Sequence, residues 1–288
     1  MNRLVVACSG AKHIGKKIAN YANAKYTELF VDKFPDNELH IRFLENLKGK
    51  KVYLVQSFFD DINEKVLEIL FAGYTARDLK AKKVVLVALY LPYLRQDRRF
   101  NHGDCISAEV IAKLLKVFNK VYVVEPHLHR IKDIKQLMKN AKKISVVETI
   151  ASFIKKLNLK DCLLIGPDVE SYQWAKHVAR ILNKEVIILK KKRLSPRKVK
   201  IAIPKLDVFT RNVVIVDDII STGHTMLETI KGLSKLKPKR IYCIAIHGIF
   251  ARDALKKLQK YATVYTCNTI PNKVSKIDIA KDVAKIIK

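Results

Sequence analysis

Glycine is scarce in this chain, nine residues in 288. That excludes a long glycine-rich flexible linker between its parts. Cysteine is also sparse: Cys8, Cys105, Cys162, Cys243 and Cys267 are odd in number and far apart in sequence. Neither a disulfide framework nor a Cys-x-x-Cys metal site fits that spacing, so free thiols in a reducing, cytoplasmic compartment are expected. Long hydrophobic runs are missing. The longest, residues 84–94, is about half the roughly 20 residues a membrane-crossing helix needs. The apolar stretch at residues 4–8 is shorter than the core of a signal peptide and reads as a first strand. Acids are few, 27 against 56 lysines and arginines, for a net charge of +29. A surface so basic attracts polyanions: nucleic acid, anionic membrane or small phosphorylated substrates. The cations run through the whole chain with no zinc-finger, RNA-binding-sheet or basic-zipper signature, which weighs against nucleic acid. What is abundant is apolar content, 49%, enough to exclude a disordered chain.

Short β-branched runs recur at residues 4–7, 52–58, 84–91, 121–125, 162–165, 186–189, 213–216, 241–246 and 264–266. Several are apolar without alternation, as in strands buried on both faces of a parallel sheet. Helical periodicity fills residues 61–79, 107–118, 172–182 and 226–236 between them. The alternation predicts an α/β fold with helices on both sheet faces. Pro35, Asp36 and Asn37 interrupt the rhythm and predict a small hairpin or flap over residues 34–43. At about 150 residues per domain the length suits two domains. Asn140 and its neighbouring lysines place the expected boundary near residues 139–143, giving domains 1–142 and 143–288, with a last helix over 277–287.

The most informative segment is VVIVDDIISTGHT at residues 213–225. An apolar strand runs into Asp217 and Asp218, and then a turn rich in hydroxyls opens a helix. Adjacent strand side chains point to opposite faces, which argues against a carboxylate dyad sharing one proton. Ligands of open α/β sheets bind at the carboxyl ends of strands, where a loop enters a helix. Ser221, Thr222, Gly223 and Thr225 offer hydroxyls and converging N–H groups suited to a phosphate monoester at a helix N-terminus. The competing reading is a capping box, Thr225 with Glu228, which needs no ligand. It leaves two adjacent carboxylates at a strand end unexplained.

This segment resembles the phosphoribosyl-pyrophosphate (PRPP) binding loop common to type I phosphoribosyltransferases and PRPP synthetases, the ribose-phosphate diphosphokinases. FPDNELHIRF (34–43), YLRQDRRF (93–100), VEPHLH (124–129), GPDVES (166–171) and KKRLSPRK (191–198) follow in the order of the synthetases. The resemblance implies two phosphoribosyltransferase-type domains, each a mostly parallel sheet flanked by helices. It also implies Mg²⁺-dependent transfer of the diphosphoryl group of ATP to ribose 5-phosphate, giving AMP and PRPP. By the same resemblance Arg95, Gln96 and Asp97 bind ATP. Phe34, Asp36 and Glu38 complete the ATP site of a neighbouring subunit, which implies at least a homodimer. His127 and Asp168 match the residues near the metal. Asp217, Asp218, Ser221, Thr222, Gly223, His224 and Thr225 take ribose 5-phosphate. Within the basic run of residues 190–200, Lys191 and Arg193 match the catalytic cations of a mobile loop. Two motifs depart from the family: Glu125-Pro126-His127 replaces Asp-Leu-His, and Val169-Glu170-Ser171 replaces a glycine-rich pyrophosphate loop. A phosphoribosyltransferase that consumes PRPP, a catalytically silent relative that serves as a regulatory subunit, and a nucleic-acid-binding protein are the alternatives.

Overall fold

The computed structural model describes residues 2–128, 130–169, 171–195, 198–202 and 206–288, with side chains for all of these except 190–202. The chain divides into two compact units, Met1–Ser145 with Ile279–Lys288, and Val146–Asp278. Both ends of the second unit therefore differ from the expected 143–288.

The first unit runs β1 (Arg3–Ala7), α1 (Lys12–Tyr21), β2 (Lys25–Lys33), β3 (Leu39–Phe43), β4 (Lys51–Ser57), α2 (Ile62–Asp78), β5 (Lys83–Tyr90), α3 (Ser107–Leu114), β6 (Lys120–Val124), α4 (Ile134–Leu137) and β7 (Ala141–Ile144). Its sheet has the order β3-β2-β1-β4-β5-β6-β7. Only the β2–β3 pair is antiparallel. Strands β1, β4 and β5 are buried almost end to end, as their unbroken apolar runs require. The chain crosses from β1 to β2 in one direction and from β4 through β7 in the other. Right-handed crossovers therefore put α1 on one face and α2, α3 and α4 on the opposite face.

The expected boundary at residues 139–143 runs into β7, an edge strand of the first unit. In β7 the end residues Ala141 and Ile144 are buried while Lys142 and Lys143 face water. Two exposed lysines between buried ends suit an edge strand guarded by lysine, and they break the apolar pattern without breaking the sheet.

The second unit runs α5 (Val147–Lys156), β8 (Cys162–Gly166), α6 (Tyr172–Leu182), β9 (Val186–Ile188), β10 (Lys190–Ser195), β11 (Lys198–Ala202), β12 (Asn212–Ile220), α7 (His224–Ser234), β13 (Arg240–Gly248), α8 (Ala254–Gln259) and β14 (Thr263–Thr266). Its five-stranded sheet is parallel throughout, in the order β14-β13-β12-β8-β9. Leu163, Ile165, Val213, Ile215, Ile230 and Cys243 lie in its core. The chain leaves β8 toward β9 and leaves β12 toward β13, so the switch in winding falls between the adjacent strands β8 and β12.

The basic run expected as a loop is an antiparallel ribbon of β10 and β11, in which Lys191 stands opposite Ile201 and Arg193 opposite Val199. The expected last helix is shorter, α9 (Ala280–Ala284), and packs on α1 in the first unit. All five cysteines are free. Among the described residues no helix is long and apolar enough to cross a membrane.

Candidate functional site

In an open α/β sheet the strand ends at a switch in winding leave a crevice. In the second unit the carboxyl ends of β8 and β12 meet there, and these are the places where the sequence puts Asp168, Asp217 and Asp218. Strand β12 is apolar and buried from Val213 to Val216, and Asp218 behind them is only 4% exposed.

Two carboxyls in such a place carry a large desolvation cost. Burial is the main force pushing the Asp217 carboxyl well above the ordinary aspartate range. The charges of Asp218 and Asp168 add to it, as does a hydrogen bond between the Asp217 and Asp218 side chains. Strand alternation therefore does not keep the two carboxyls electrostatically independent. The reason is local: the Asp217 carboxyl turns along the chain to accept the Asp218 N–H at 2.9 Å, and Asp218 accepts the Ile219 N–H at 2.8 Å. Both side chains bend back on the backbone instead of projecting straight from opposite faces.

Asp168 lies in the loop after β8. Its carboxyl accepts the Ser171 N–H and hydroxyl, each at 2.9 Å, which fixes the entry to α6. Glu170 lies outside the described residues.

Beyond β12, Ser221 and Thr222 lead to Gly223, whose φ of +72° is the left-handed conformation that glycine adopts without strain. A Cβ there would also stand 3.2 Å from that of Ala254. Gly223 is the N-cap of α7, and no side chain caps this helix. The capping-box reading fails on this point, because Thr225 sits inside the first turn instead of at the cap. Among the described residues no side chain caps the first-turn N–H groups, an arrangement that suits a phosphate site. His224 is exposed, and Thr225 is half-buried.

The other predicted residues belong to the first unit. Phe34, Asp36 and Glu38 form the turn of the β2–β3 hairpin. The Phe34 N–H donates to the Glu38 carbonyl at 2.9 Å, and the Glu38 N–H donates to the Asp36 carboxyl at 3.2 Å. Phe34 is half exposed and stacks on His40 with ring centroids 5.1 Å apart. Arg95, Gln96 and Asp97 occupy the loop after β5. The Asp97 side chain is 4% exposed and bound by Arg130 at 2.8 Å, a partner that sequence reading missed because 33 residues separate the two. His127 is half-buried in the loop after β6, so it and Asp168 belong to different units. Just before it, the Glu125 carboxylate is buried and satisfied by Ser145 at 2.7 Å and Lys143 at 3.4 Å. The side chains of Lys191 and Arg193 lie outside those described.

The first part of the chain, residues 4–118, matches the family model of the N-terminal domain of ribose phosphate pyrophosphokinase, and residues 133–283 match that of the phosphoribosyl transferase domain. The chain is 36% identical to the ribose-phosphate pyrophosphokinase of Pyrococcus abyssi, over 99% of each chain. It belongs to the ribose-phosphate pyrophosphokinase family. The corresponding protein of Methanopyrus kandleri is 30% identical over 99% of this chain and 98% of its own. The crystal structure of phosphoribosylpyrophosphate synthetase from Mycobacterium smegmatis shares the fold. It has a TM-score of 0.85 and 21% identity, covering 99% of this chain and 97% of that one. As a ribose-phosphate pyrophosphokinase, this chain is a transferase that makes PRPP, built from two phosphoribosyltransferase-type domains.

Among the described residues no three or more His, Cys, Asp or Glu side chains converge as a ready cage for a metal. The donors that do approach one another, Asp217 and Asp218 with the charge of Asp168 felt nearby, suit Mg²⁺. That ion is commonly held by one or two carboxylates and completes its shell with water and substrate oxygens.

Proposed function

We propose that this enzyme transfers the diphosphoryl group of ATP to the anomeric hydroxyl of ribose 5-phosphate. The sugar oxygen bonds to the β-phosphorus, the bond from that phosphorus to the α–β bridging oxygen breaks, and AMP leaves. The hydroxyl proton passes to solvent. The observation that carries the reading is the run from the crowded carboxyls of β12 across Gly223 into the uncapped start of α7. It offers acceptors for ribose hydroxyls and N–H donors for a 5-phosphate within one short segment. Asp217 and Asp218 would hold the ribose hydroxyls, directly or through the cation. Ser221, Thr222, Gly223, His224 and Thr225 would hold the 5-phosphate. Asp168, with Asp217 and Asp218 beside it, would hold Mg²⁺, with His127 proposed as a further group near the metal, and the ion would supply charge neutralisation at the transferring group. Arg95, Gln96 and Asp97 would bind ATP, with Phe34, Asp36 and Glu38 supplied by the other subunit of at least a homodimer. Lys191 and Arg193 would stabilise the charge on the transferring group. Five free thiols fit work in a reducing compartment such as the cytoplasm.

The test is to incubate the protein with Mg²⁺, ATP and ribose 5-phosphate and follow AMP and PRPP together. Equal amounts of both support the reading. Product that forms only when PRPP and a nucleobase are supplied would replace it with a phosphoribosyltransferase.

A further inference from the structure

We infer that Arg130 is a positioning residue for nucleotide binding, holding the Arg95-Gln96-Asp97 loop in its working shape. The inference rests on the proposal that this loop takes ATP.

The geometry begins at Asp97. Its side chain is 4% exposed, and a carboxylate so far from water is costly unless a cation meets it. The Arg130 guanidinium does so, with Nη1 donating to Oδ1 at 2.8 Å. Arg130 comes from a different loop, the one after β6, three positions beyond His127. The same guanidinium lies 5.8 Å from the centre of the Phe100 ring, and that of Arg98 lies 5.1 Å from it. Arg130 therefore holds the loop at two points, by an ion pair to Asp97 and by cation–π contact to Phe100.

These contacts also divide the labour within the motif. With one oxygen of the nearly buried Asp97 carboxylate engaged by Arg130, Arg95, which is exposed, and Gln96 are left as the principal ligand-facing groups. Arginine suits this task better than lysine, since its planar fork can donate to a carboxylate and lie against a ring at once, whereas an ammonium acts as a point charge. Half of the Arg130 side chain is exposed, so its removal opens no core cavity.

The experiment is equilibrium binding of Mg²⁺ with a non-hydrolysable ATP analogue, together with KM for each substrate. It uses the whole enzyme and the variants Arg130→Ala, Arg130→Lys, Asp97→Ala, the double variant Arg130→Ala/Asp97→Ala, and Arg95→Ala. Arg130→Ala is expected to weaken nucleotide binding about tenfold or more and to leave KM for ribose 5-phosphate within about twofold. Arg130→Lys should recover part of the loss. Adding Arg130→Ala to Asp97→Ala should cost little more, because the two act through one contact. If Arg130→Ala leaves nucleotide binding intact while Asp97→Ala or Arg95→Ala weakens it, the positioning role is overturned and the ATP-loop reading stands. Fully additive losses, or equal losses for both substrates, also overturn the role. If Arg95→Ala and Asp97→Ala both bind the nucleotide normally, the ATP-loop reading fails and takes the inference with it.

Discussion

Each unit has a switch in winding, between β1 and β4 in the first and between β8 and β12 in the second, and the two crevices are occupied in opposite ways. In the first, the loop after β1 folds into the gap. The Gly10 N–H donates to the Gln56 side chain at 2.8 Å, and the Ser9 N–H donates to Glu68 at 2.9 Å while its hydroxyl donates to the other carboxyl oxygen. A Cβ on Gly10 would stand 2.0 Å from the Ser57 carbonyl oxygen, so the backbone itself closes the gap. In the second, the loop carries acids that crowd one another. Both crevices hold a carboxyl pushed above its ordinary range. For Glu68 the cause is burial, partly offset by the hydrogen bonds from Ser9. For Asp217 the charges of Asp218 and Asp168 add to burial. A raised acid whose hydrogen-bond partners are built in holds the fold together, whereas one raised further by like charges leaves a demand that a cation or sugar hydroxyls can meet.

Substituting the two acids should separate these roles. Asp217→Asn is expected to lower turnover by at least about a hundredfold. It should leave thermal unfolding unchanged or shifted upward, because it removes like-charge repulsion; near-normal turnover would detach Asp217 from the site. Glu68→Ala should do the reverse. It leaves the half-buried Ser9 groups without their acceptor and opens space at the buried Glu68 site, and is expected to cost about 2 kcal/mol by urea unfolding, while the folded fraction keeps its turnover.

The glycines extend the contrast. Gly223→Ala, at a positive φ and against Ala254, should cost about 1–2 kcal/mol and weaken ribose 5-phosphate binding as well, read as a KM increase. A variant that loses stability alone would make Gly223 a packing residue.

Acidity gives a smaller effect. Glu68 keeps its proton to higher pH in the fold than in the unfolded chain, so its contribution is complete below the ordinary glutamate value of 4.5 and is lost as pH rises above it. Glu68→Gln should flatten that part of the stability profile, and an unchanged slope across an unfolding series from pH 4.5 upward would assign the slope elsewhere. The smallest effect is expected at Thr225→Ala: less than about 0.5 kcal/mol of stability, since Thr225 is not the cap, with a measurable rise in KM for ribose 5-phosphate. A loss near 1 kcal/mol would restore the capping reading.

Much of this could be read from the chain, for reasons visible in particular segments. Strands β5, β8 and β12 announce themselves because burial on both faces demands unbroken apolar runs, and α6 falls where its periodicity puts it, at Tyr172–Leu182. Strand β2 was missed because its burial is partial along its length, and partial burial tolerates Lys25, Glu28 and Asp32. Strand β7 was taken for a boundary because lysine at an edge looks like lysine in a linker.

The sequence by itself determined the alternation of strands and helices, the family, and the concentration of chemistry in residues 213–225, because these follow from local pattern and contiguous motif. The tertiary structure alone decided that the Asp217 carboxyl turns along the chain to accept the Asp218 N–H, that Gly223 rather than Thr225 caps α7, and that Asp97 meets Arg130. Each depends on backbone direction or on a partner distant in the chain, and neither is written in the order of the residues.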